Sequence, residues 1–170
     1  LYATNPSFID VGDDAFIGYG YNSANRNPLY ADEIGLQQTQ NLVGSSTCID
    51  SMNSNAEPRV NVFYEAAPNT GAFAGIQQGF YQTSYDAGST SIPSGYVAGD
   101  AQSSLSAKAP VNLLTSYESL LLQAEASARG WANAGMDSSL YFQAINASFS
   151  YYGTALAAIT GTSAAVALNG

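Results

Sequence analysis

The chain contains no histidine and a single cysteine among its 170 residues. The lack of histidine excludes Ser–His and Cys–His catalytic pairs together with most zinc sites. The single cysteine, Cys48, excludes an internal disulfide, and its place among apolar residues of a predicted helix predicts a buried thiol. The chain therefore lacks the residues that the commonest forms of nucleophilic and zinc catalysis require.

Positive charge is also scarce, because four Lys and Arg residues face thirteen Asp and Glu residues, for a net charge of −9. Nucleic-acid binding depends on basic residues that neutralise phosphate, so we expect no nucleic-acid partner, and an anionic membrane surface is disfavoured for the same reason. No stretch approaches the roughly 18 consecutive apolar residues of a membrane span. Only 10% of the residues are charged, a profile that suits an exported protein meeting neutral polar ligands.

Paired carboxylates are the remaining catalytic option, because glycoside hydrolysis needs two of them. The acids whose sequence context can be interpreted have structural explanations instead. Glu118 fits a helix cap, Glu125 is placed to pair with Arg129 one helical turn later, and Glu57 precedes the turn at Pro58. We predict that the chain is not an enzyme.

One cluster of acids offers a weak candidate for calcium. Asp10, Asp13 and Asp14 could surround a hard cation with carboxylate oxygens. Their spacing matches no EF-hand loop, and solvated acids in a turn are the commoner explanation. We therefore expect neither a metal nor a cofactor.

The most informative segment is 115–153, which predicts a hairpin of two amphipathic helices. Thr115 and Glu118 have the spacing of a capping box, and Gly130 has the place of a left-handed cap that ends the first helix. The second helix is expected from Asp137 to Gly153. The apolar spacing predicts that four side chains are buried between the helices: Leu121, Leu122, Ile145 and Phe149.

The rest of the chain has weaker signals, and we expect residues 1–170 to form a single domain. Residues 15–17 and 60–64 are predicted strands. The predicted segments are a loop-rich opening at 1–30, a helix plus strand at 31–64, a long loop region at 65–114, the hairpin at 115–153, and a short C-terminal helix or tail at 154–170. The predicted fold class is mainly α, with long loops and a minor β component.

Loop aromatics are the best candidates for ligand contact, because an amphipathic ring in a polar loop is available for stacking. Half-buried loop aromatics are also ordinary in proteins without a ligand. Trp131, which follows the end of the first helix, is interpreted as a packing residue of the hairpin. The candidate ligand-binding residues are Tyr81, Tyr85, Tyr96, Tyr19 and Tyr21.

Three blocks of sequence occur in the order of a known family. They are SYESLLLQAEASARGW at 116–131 with LYFQAINASFSYYG at 140–153, STCIDSMN at 46–53 with EPRV at 57–60, and GIQQG at 75–79. Together these blocks resemble the SusD/RagB family of nutrient-binding and glycan-binding outer-membrane lipoproteins of Bacteroidetes. Glu57 departs from the family's usual Asp before Pro-Arg, but it keeps the charge.

The resemblance implies the C-terminal part of a SusD-like protein with a tetratricopeptide-like helical hairpin. It implies non-catalytic binding of an oligosaccharide or polysaccharide nutrient at the bacterial outer membrane, and delivery to a SusC-like TonB-dependent transporter. Membrane attachment would need a lipid anchor that this chain does not carry at Leu1. The alternative is a structural or protein-interaction domain that docks on the transporter while the glycan is held by another part of the protein.

Overall fold

The computed structural model describes residues 8–10, 12–36, 39–79, 86–131 and 137–160. Within these ranges the chain forms six α-helices and two short strands that pair as one sheet. The predicted fold class, mainly helical with a minor β component, is confirmed. In chain order the elements are β1 (Ala15–Ile17), α1 (Pro28–Gly35), α2 (Ser46–Ser54), α3 (Val60–Phe63), a 3-10 helix (Gly95–Val97), α4 (Ser104–Lys108), β2 (Val111–Leu114), α5 (Ser116–Ala128) and α6 (Asp137–Thr160).

Helix α5 has the ends that its sequence predicts. The Thr115 backbone N–H donates to the Glu118 carboxylate at 2.8 Å, and the Glu118 N–H donates to the Thr115 hydroxyl at 3.3 Å. At the other end Gly130 has φ +69°, while the Trp131 N–H reaches back to the Ala126 carbonyl at 2.9 Å. This closure satisfies carbonyls that the helix end would otherwise leave unpaired.

Helices α5 and α6 pack antiparallel. The Tyr117 ring, near the start of α5, lies 5.9 Å from the Tyr151 ring on α6. At the opposite end, Ala128 of α5 lines a shallow groove together with Ser138 of α6. Helix α6 continues through Gly153 to Thr160, so the prediction that Gly153 ends the helix is wrong.

The buried face of the hairpin consists of small residues. Leu121 and Leu122 are 40% and 57% exposed, so the prediction that they are buried is wrong, while Ile145 and Phe149 are half-buried. Consecutive helical residues point about 100° apart, so a run of leucines spreads around the helix and cannot face one partner. The buried residues of the two helices include Ser116, Ser119, Ala124, Ala126, Ala144 and Ser148.

Helix α3 occupies the segment that was predicted as a strand, and the prediction for 60–64 is therefore wrong. Val60 and Val62 are both buried, as alternation would require. However, the Tyr64 N–H bonds to the Val60 carbonyl at 3.0 Å, which closes a helical turn. Two apolar residues in so short a segment do not distinguish a strand from one turn of helix.

Side-chain amides order the long loop region before β2, which also contains the 3-10 helix and α4. The buried Asn27 donates through Nδ2 to the Ala109 carbonyl at 2.9 Å. Gln40 donates to the Gly99 carbonyl at 2.7 Å and accepts from the Ala101 N–H at 2.9 Å. These bonds take the place of the backbone hydrogen bonds of a β-sheet, and they hold the loop against the first part of the chain.

Strands β1 and β2 form a two-stranded antiparallel sheet beside the hairpin. The register places Phe16 opposite Asn112 and Ile17 opposite Val111, with an irregularity between Ala15 and Phe16. The sheet is tied to α5 by Asp14, because its carboxylate accepts the Ser116 N–H at 2.7 Å. This contact brings the segment before β1 to the start of the hairpin.

Cys48 lies on an exposed face of α2, so the prediction of a buried thiol is wrong. The buried residue of this helix is the next one, Ile49, which is fully covered. A one-residue error turns the predicted face by about 100°. Burial, together with a hydrogen bond to Cys48, raises the pKa of Tyr64 to about 12.

Candidate functional site

A cleft of about 700 Å³ opens where the sheet, α3 and α6 meet. This volume falls in the range of about 300–1,000 Å³ that is typical of small-molecule sites. Five segments that are distant in sequence contribute to its walls. The lining residues are Gly12, Asp14, Val62, Phe63, Tyr96, Val97, Pro110, Asn112, Ser116, Ala147, Ser150, Tyr151 and Tyr152.

Asn112 and Tyr151 hold each other in position at this cleft. The Asn112 Nδ2 group donates to the Tyr151 hydroxyl at 3.1 Å, and that hydroxyl lies 3.2 Å from the Asn112 Oδ1 atom. Asn112 is exposed and Tyr151 is half-buried. An amide and a ring fixed in this way offer hydrogen bonding and stacking side by side.

Tyr152 forms a more rigid part of the wall. Its hydroxyl lies 3.0 Å from the Tyr117 hydroxyl, and its ring meets the Phe63 ring edge-on with centroids 4.9 Å apart. Burial, followed by the hydrogen bond to Tyr117, raises the pKa of Tyr152. The phenol therefore stays neutral at physiological pH.

Tyr96 reaches the cleft from the 3-10 helix. Burial raises the pKa of Tyr96, while the positive charge of Lys108 opposes that effect. The Lys108 ammonium also lies 5.0 Å from the centroid of the Tyr21 ring. Lys108 thus interacts with two of the five candidate tyrosines, Tyr96 and Tyr21.

The cleft is largely apolar and carries little charge. Asp14 supplies the single carboxylate among its described lining residues, and that carboxylate already accepts the Ser116 N–H at the start of α5. The partial positive charge of a helix N-terminus stabilises an anion at this place. A lining with one carboxylate does not provide the acid and base that glycoside hydrolysis requires, whereas it suits a neutral ligand with many hydroxyl groups.

The structure places the sequence-selected tyrosines in different surroundings. Tyr96 lines the cleft, whereas Tyr21 lies beside Lys108 and is 60% exposed. Tyr19 is half-buried shortly after β1 and is not among the residues that line the cleft. Tyr81 and Tyr85 lie outside the described residues.

The three aspartates considered for calcium do not form a cation site. The Asp13 N–H bonds to the Asp10 carbonyl at 3.0 Å in a turn, and Asp14 is turned toward Ser116. Across the described ranges, no three side chains of His, Cys, Asp or Glu come together with the geometry to hold a metal. The calcium alternative is therefore not supported.

A second groove, of about 450 Å³, lies on the other side of the Phe63–Tyr152 ring pair. Its charged residues are Glu57 and Arg59, which pair with each other at 2.6 Å. The hydrogen bond from Arg59 lowers the pKa of Glu57, and the same bond raises the pKa of Arg59. Because both charges are already satisfied, we interpret this pair as structural.

The distal end of the hairpin exposes several apolar side chains. Trp131 is 67% exposed, and Arg129 lies 4.9 Å from the centroid of its ring. The interpretation of Trp131 as a packing residue is therefore wrong. Elsewhere on the hairpin, Leu121 and Tyr141 line the groove between the two helices, and Leu122 and Phe142 are also exposed.

Sequence reasoning missed most of the cleft. Tyr151 and Tyr152 lie on a predicted helix and were not selected, and Asn112 gave no signal because it is one polar residue in a segment predicted as loop. Asp14 was noticed as an acid, although for another purpose. A signal could have come from pairing β1 with β2, since that pairing brings the segment of Asp14 beside Asn112 at the start of the hairpin.

The chain matches a known protein family over nearly its whole length. Residues 2–166 match the model of the SusD-like_2 family, whose description is "Starch-binding associating with outer membrane". A comparison with curated proteins found no matching relative. Among the described helices, none combines the length and the hydrophobicity that crossing a bilayer requires.

Proposed function

The chain belongs to this SusD-like family, and we propose that it binds a neutral oligosaccharide of the starch type in the cleft between the sheet, α3 and α6. The observation that carries the proposal is the composition of the cleft, in which Tyr96, Tyr151 and Tyr152 stand beside Asn112 and Asp14. Rings and hydrogen-bonding groups that converge on one concave surface are typical of a ligand site.

Each group has a distinct part in this proposal. The rings of Tyr96 and Tyr151 stack on the apolar faces of sugar units, while Tyr152 is held by Tyr117 and forms the back wall. The Asn112 amide and the Asp14 carboxylate bind sugar hydroxyls through their remaining hydrogen-bonding capacity. Stacking contributes most of the affinity, and the polar groups fix the orientation.

The charge of the cleft selects neutral ligands. Asp14 brings a negative charge, and the chain as a whole carries −9. An anionic sugar would meet repulsion with no basic residue among the described lining residues to offset it. We therefore propose a neutral glucan as ligand and not an acidic polysaccharide.

The family's association with the outer membrane supports a place at the bacterial cell surface. There the protein holds the glycan without catalysis and delivers it to a SusC-like TonB-dependent transporter. The single carboxylate of the described cleft lining supports a binding role over a hydrolytic one.

Isothermal titration calorimetry with maltoheptaose tests the proposal. We expect Tyr96→Ala and Tyr151→Ala each to weaken binding by about 1 kcal/mol or more, because each removes a stacking ring. Tyr141→Ala is the matched control, since Tyr141 is a 51% exposed tyrosine of the same helix as Tyr151 and lies outside the cleft. An acidic oligogalacturonide should not bind. Unchanged affinity in both folded cleft variants would contradict the proposal.

The exposed apolar residues of the hairpin favour a second function, that of a protein-interaction domain docking on the transporter. Leu122 and Phe142 are 57% and 63% exposed, and exposed apolar surface is characteristic of protein contact sites. Leu122→Asp and Phe142→Asp should weaken capture by a purified SusC-like transporter without changing sugar affinity. Leu113→Asp, at an equally exposed residue of β2, is the control. Equal capture of all variants by the transporter would contradict this second function.

A further inference from the structure

We infer that Phe16 is an aromatic platform that extends the proposed glycan cleft, so that the preferred ligand is a chain longer than the cleft itself. This inference rests on the proposed function. Phe16 is not among the residues that line the cleft, and it was not selected from the sequence.

The register of the sheet connects Phe16 to the cleft. Phe16 stands directly opposite Asn112 in the antiparallel pair. Residues that are directly opposite point to the same face of the sheet, with their Cβ atoms about 4.5–5.5 Å apart. Since Asn112 lines the cleft and binds the Tyr151 hydroxyl, Phe16 and Tyr151 share Asn112 as a neighbour.

The Phe16 ring is open to solvent. Its Cε2 atom lies 3.7 Å from the position that a Cβ atom would take on Gly18, just after β1, so that glycine has no side chain to cover the ring. The side chain is 59% exposed. Exposure alone would carry no argument, because single exposed apolar residues are common. The combination of an exposed ring with a place beside Asn112 makes it a platform.

The chemistry of this platform differs from that of the cleft. A phenyl ring offers an apolar surface for stacking and no hydroxyl to fix orientation. A glucan that fills the cleft and continues past Asn112 would lay its next unit on Phe16. A short oligosaccharide ends before that point, so chain length becomes the property that Phe16 selects.

Calorimetry with maltose, maltotriose and maltoheptaose tests the inference on the wild-type chain and three variants. Phe16→Ala should weaken maltoheptaose binding about five-fold, the equivalent of one stacking contact, and leave the affinity for the shorter sugars unchanged. Ile17→Ala is the matched control, because Ile17 is 44% exposed and follows Phe16 on the opposite face of the strand. Tyr151→Ala should weaken binding of every length.

The outcomes separate this inference from the proposed function. If Tyr151→Ala weakens binding but Phe16→Ala does not, the platform is refuted and the cleft stands. If Phe16→Ala weakens all three sugars equally, the length dependence is refuted. If the wild-type chain binds none of them, the proposed function fails and this inference fails with it.

Discussion

The guanidinium of Arg59 donates a 2.9 Å hydrogen bond to the hydroxyl of Ser148, 89 residues along the chain. Its other two nitrogens bind both carboxylate oxygens of Glu57 at 2.8 and 2.6 Å, and its carbon lies 4.5 Å from the centroid of the Phe149 ring. Two of the sequence blocks that resemble the family therefore meet at this point. These blocks build the scaffold and also supply Tyr151 and Tyr152 to the cleft, whereas the cleft residues Tyr96 and Asn112 lie outside them.

Removing this guanidinium should destabilise the fold. Arg59→Ala leaves the partly buried Glu57 carboxylate without its partner and frees α3 from α6, so we expect a loss of about 2 kcal/mol in the free energy of unfolding. Urea denaturation measures it. Arg129→Ala is the control, because the Arg129–Glu125 pair is about half exposed and should cost less than about 1 kcal/mol. Equal losses of stability in the two variants would show that the Arg59 contacts contribute no more than an exposed ion pair.

The same ion pair predicts a dependence of stability on pH. Arg59 lowers the pKa of Glu57 in the folded chain from its ordinary value of 4.5. As the pH falls, the Glu57 carboxylate is therefore protonated in the unfolded chain at a higher pH than in the folded chain. The contribution of Glu57 is therefore complete above about pH 5, and it is lost as the pH falls through the folded pKa. Urea midpoints measured from neutral pH into this range should fall less steeply for Glu57→Gln than for the wild type. Parallel curves would contradict the assignment.

The corrected helix face gives a contrast between two apolar residues. Leu122→Ala should cost less than about 1 kcal/mol, because the side chain is 57% exposed, whereas Ile49→Ala should cost about 2–5 kcal/mol, because Ile49 is fully buried. Thermal or urea unfolding of both variants checks the assignment. If Leu122→Ala lost more stability than Ile49→Ala, the original prediction that Leu122 is buried would be supported instead.

Gly75 should resist substitution. A Cβ atom at this residue would clash with the backbone of Ser45 and Ser46, where the Ser46 N–H bonds to the Ile76 carbonyl at 2.8 Å. We expect Gly75→Ala to cost about 1–3 kcal/mol in unfolding free energy. Gly35→Ala is the control, because no neighbouring atom lies within 4 Å of its added Cβ and alanine is favoured in a helix. Equal stability of the two variants would contradict the close approach between Gly75 and the backbone of Ser45 and Ser46.

The parts of the fold that sequence predicts best are those fixed by local chemistry. The cap at Thr115 and the end at Gly130 follow from hydrogen bonds within a few residues, and the structure has both. The burial of Leu121 and Leu122 depends on which residues the partner helix presents, and that information is not local. The segment at 60–64 is too short for its pattern to decide between a strand and a turn of helix.

The candidate site was harder to predict for the same reason. Its residues come from segments that a register between distant strands brings together, and no local pattern records that register. Tyr96 was selected because its loop is polar, and it does line the cleft. Its contact with ligand remains a prediction. Tyr151 was not selected, because it lies on a predicted helix and only loop aromatics were taken as candidates.

The bond between Asn112 and Tyr151 gives a prediction that depends on coupling. Tyr151→Phe keeps the ring but removes the hydroxyl that holds the Asn112 amide, and Asn112→Ala removes the amide and frees the hydroxyl. If each positions the other for ligand, either change should weaken maltoheptaose binding, and the double variant should be little weaker than the single ones. Calorimetry on the four chains of this cycle measures the coupling. Additive losses would mean that the two groups bind ligand independently, and unchanged affinity throughout would place the ligand elsewhere.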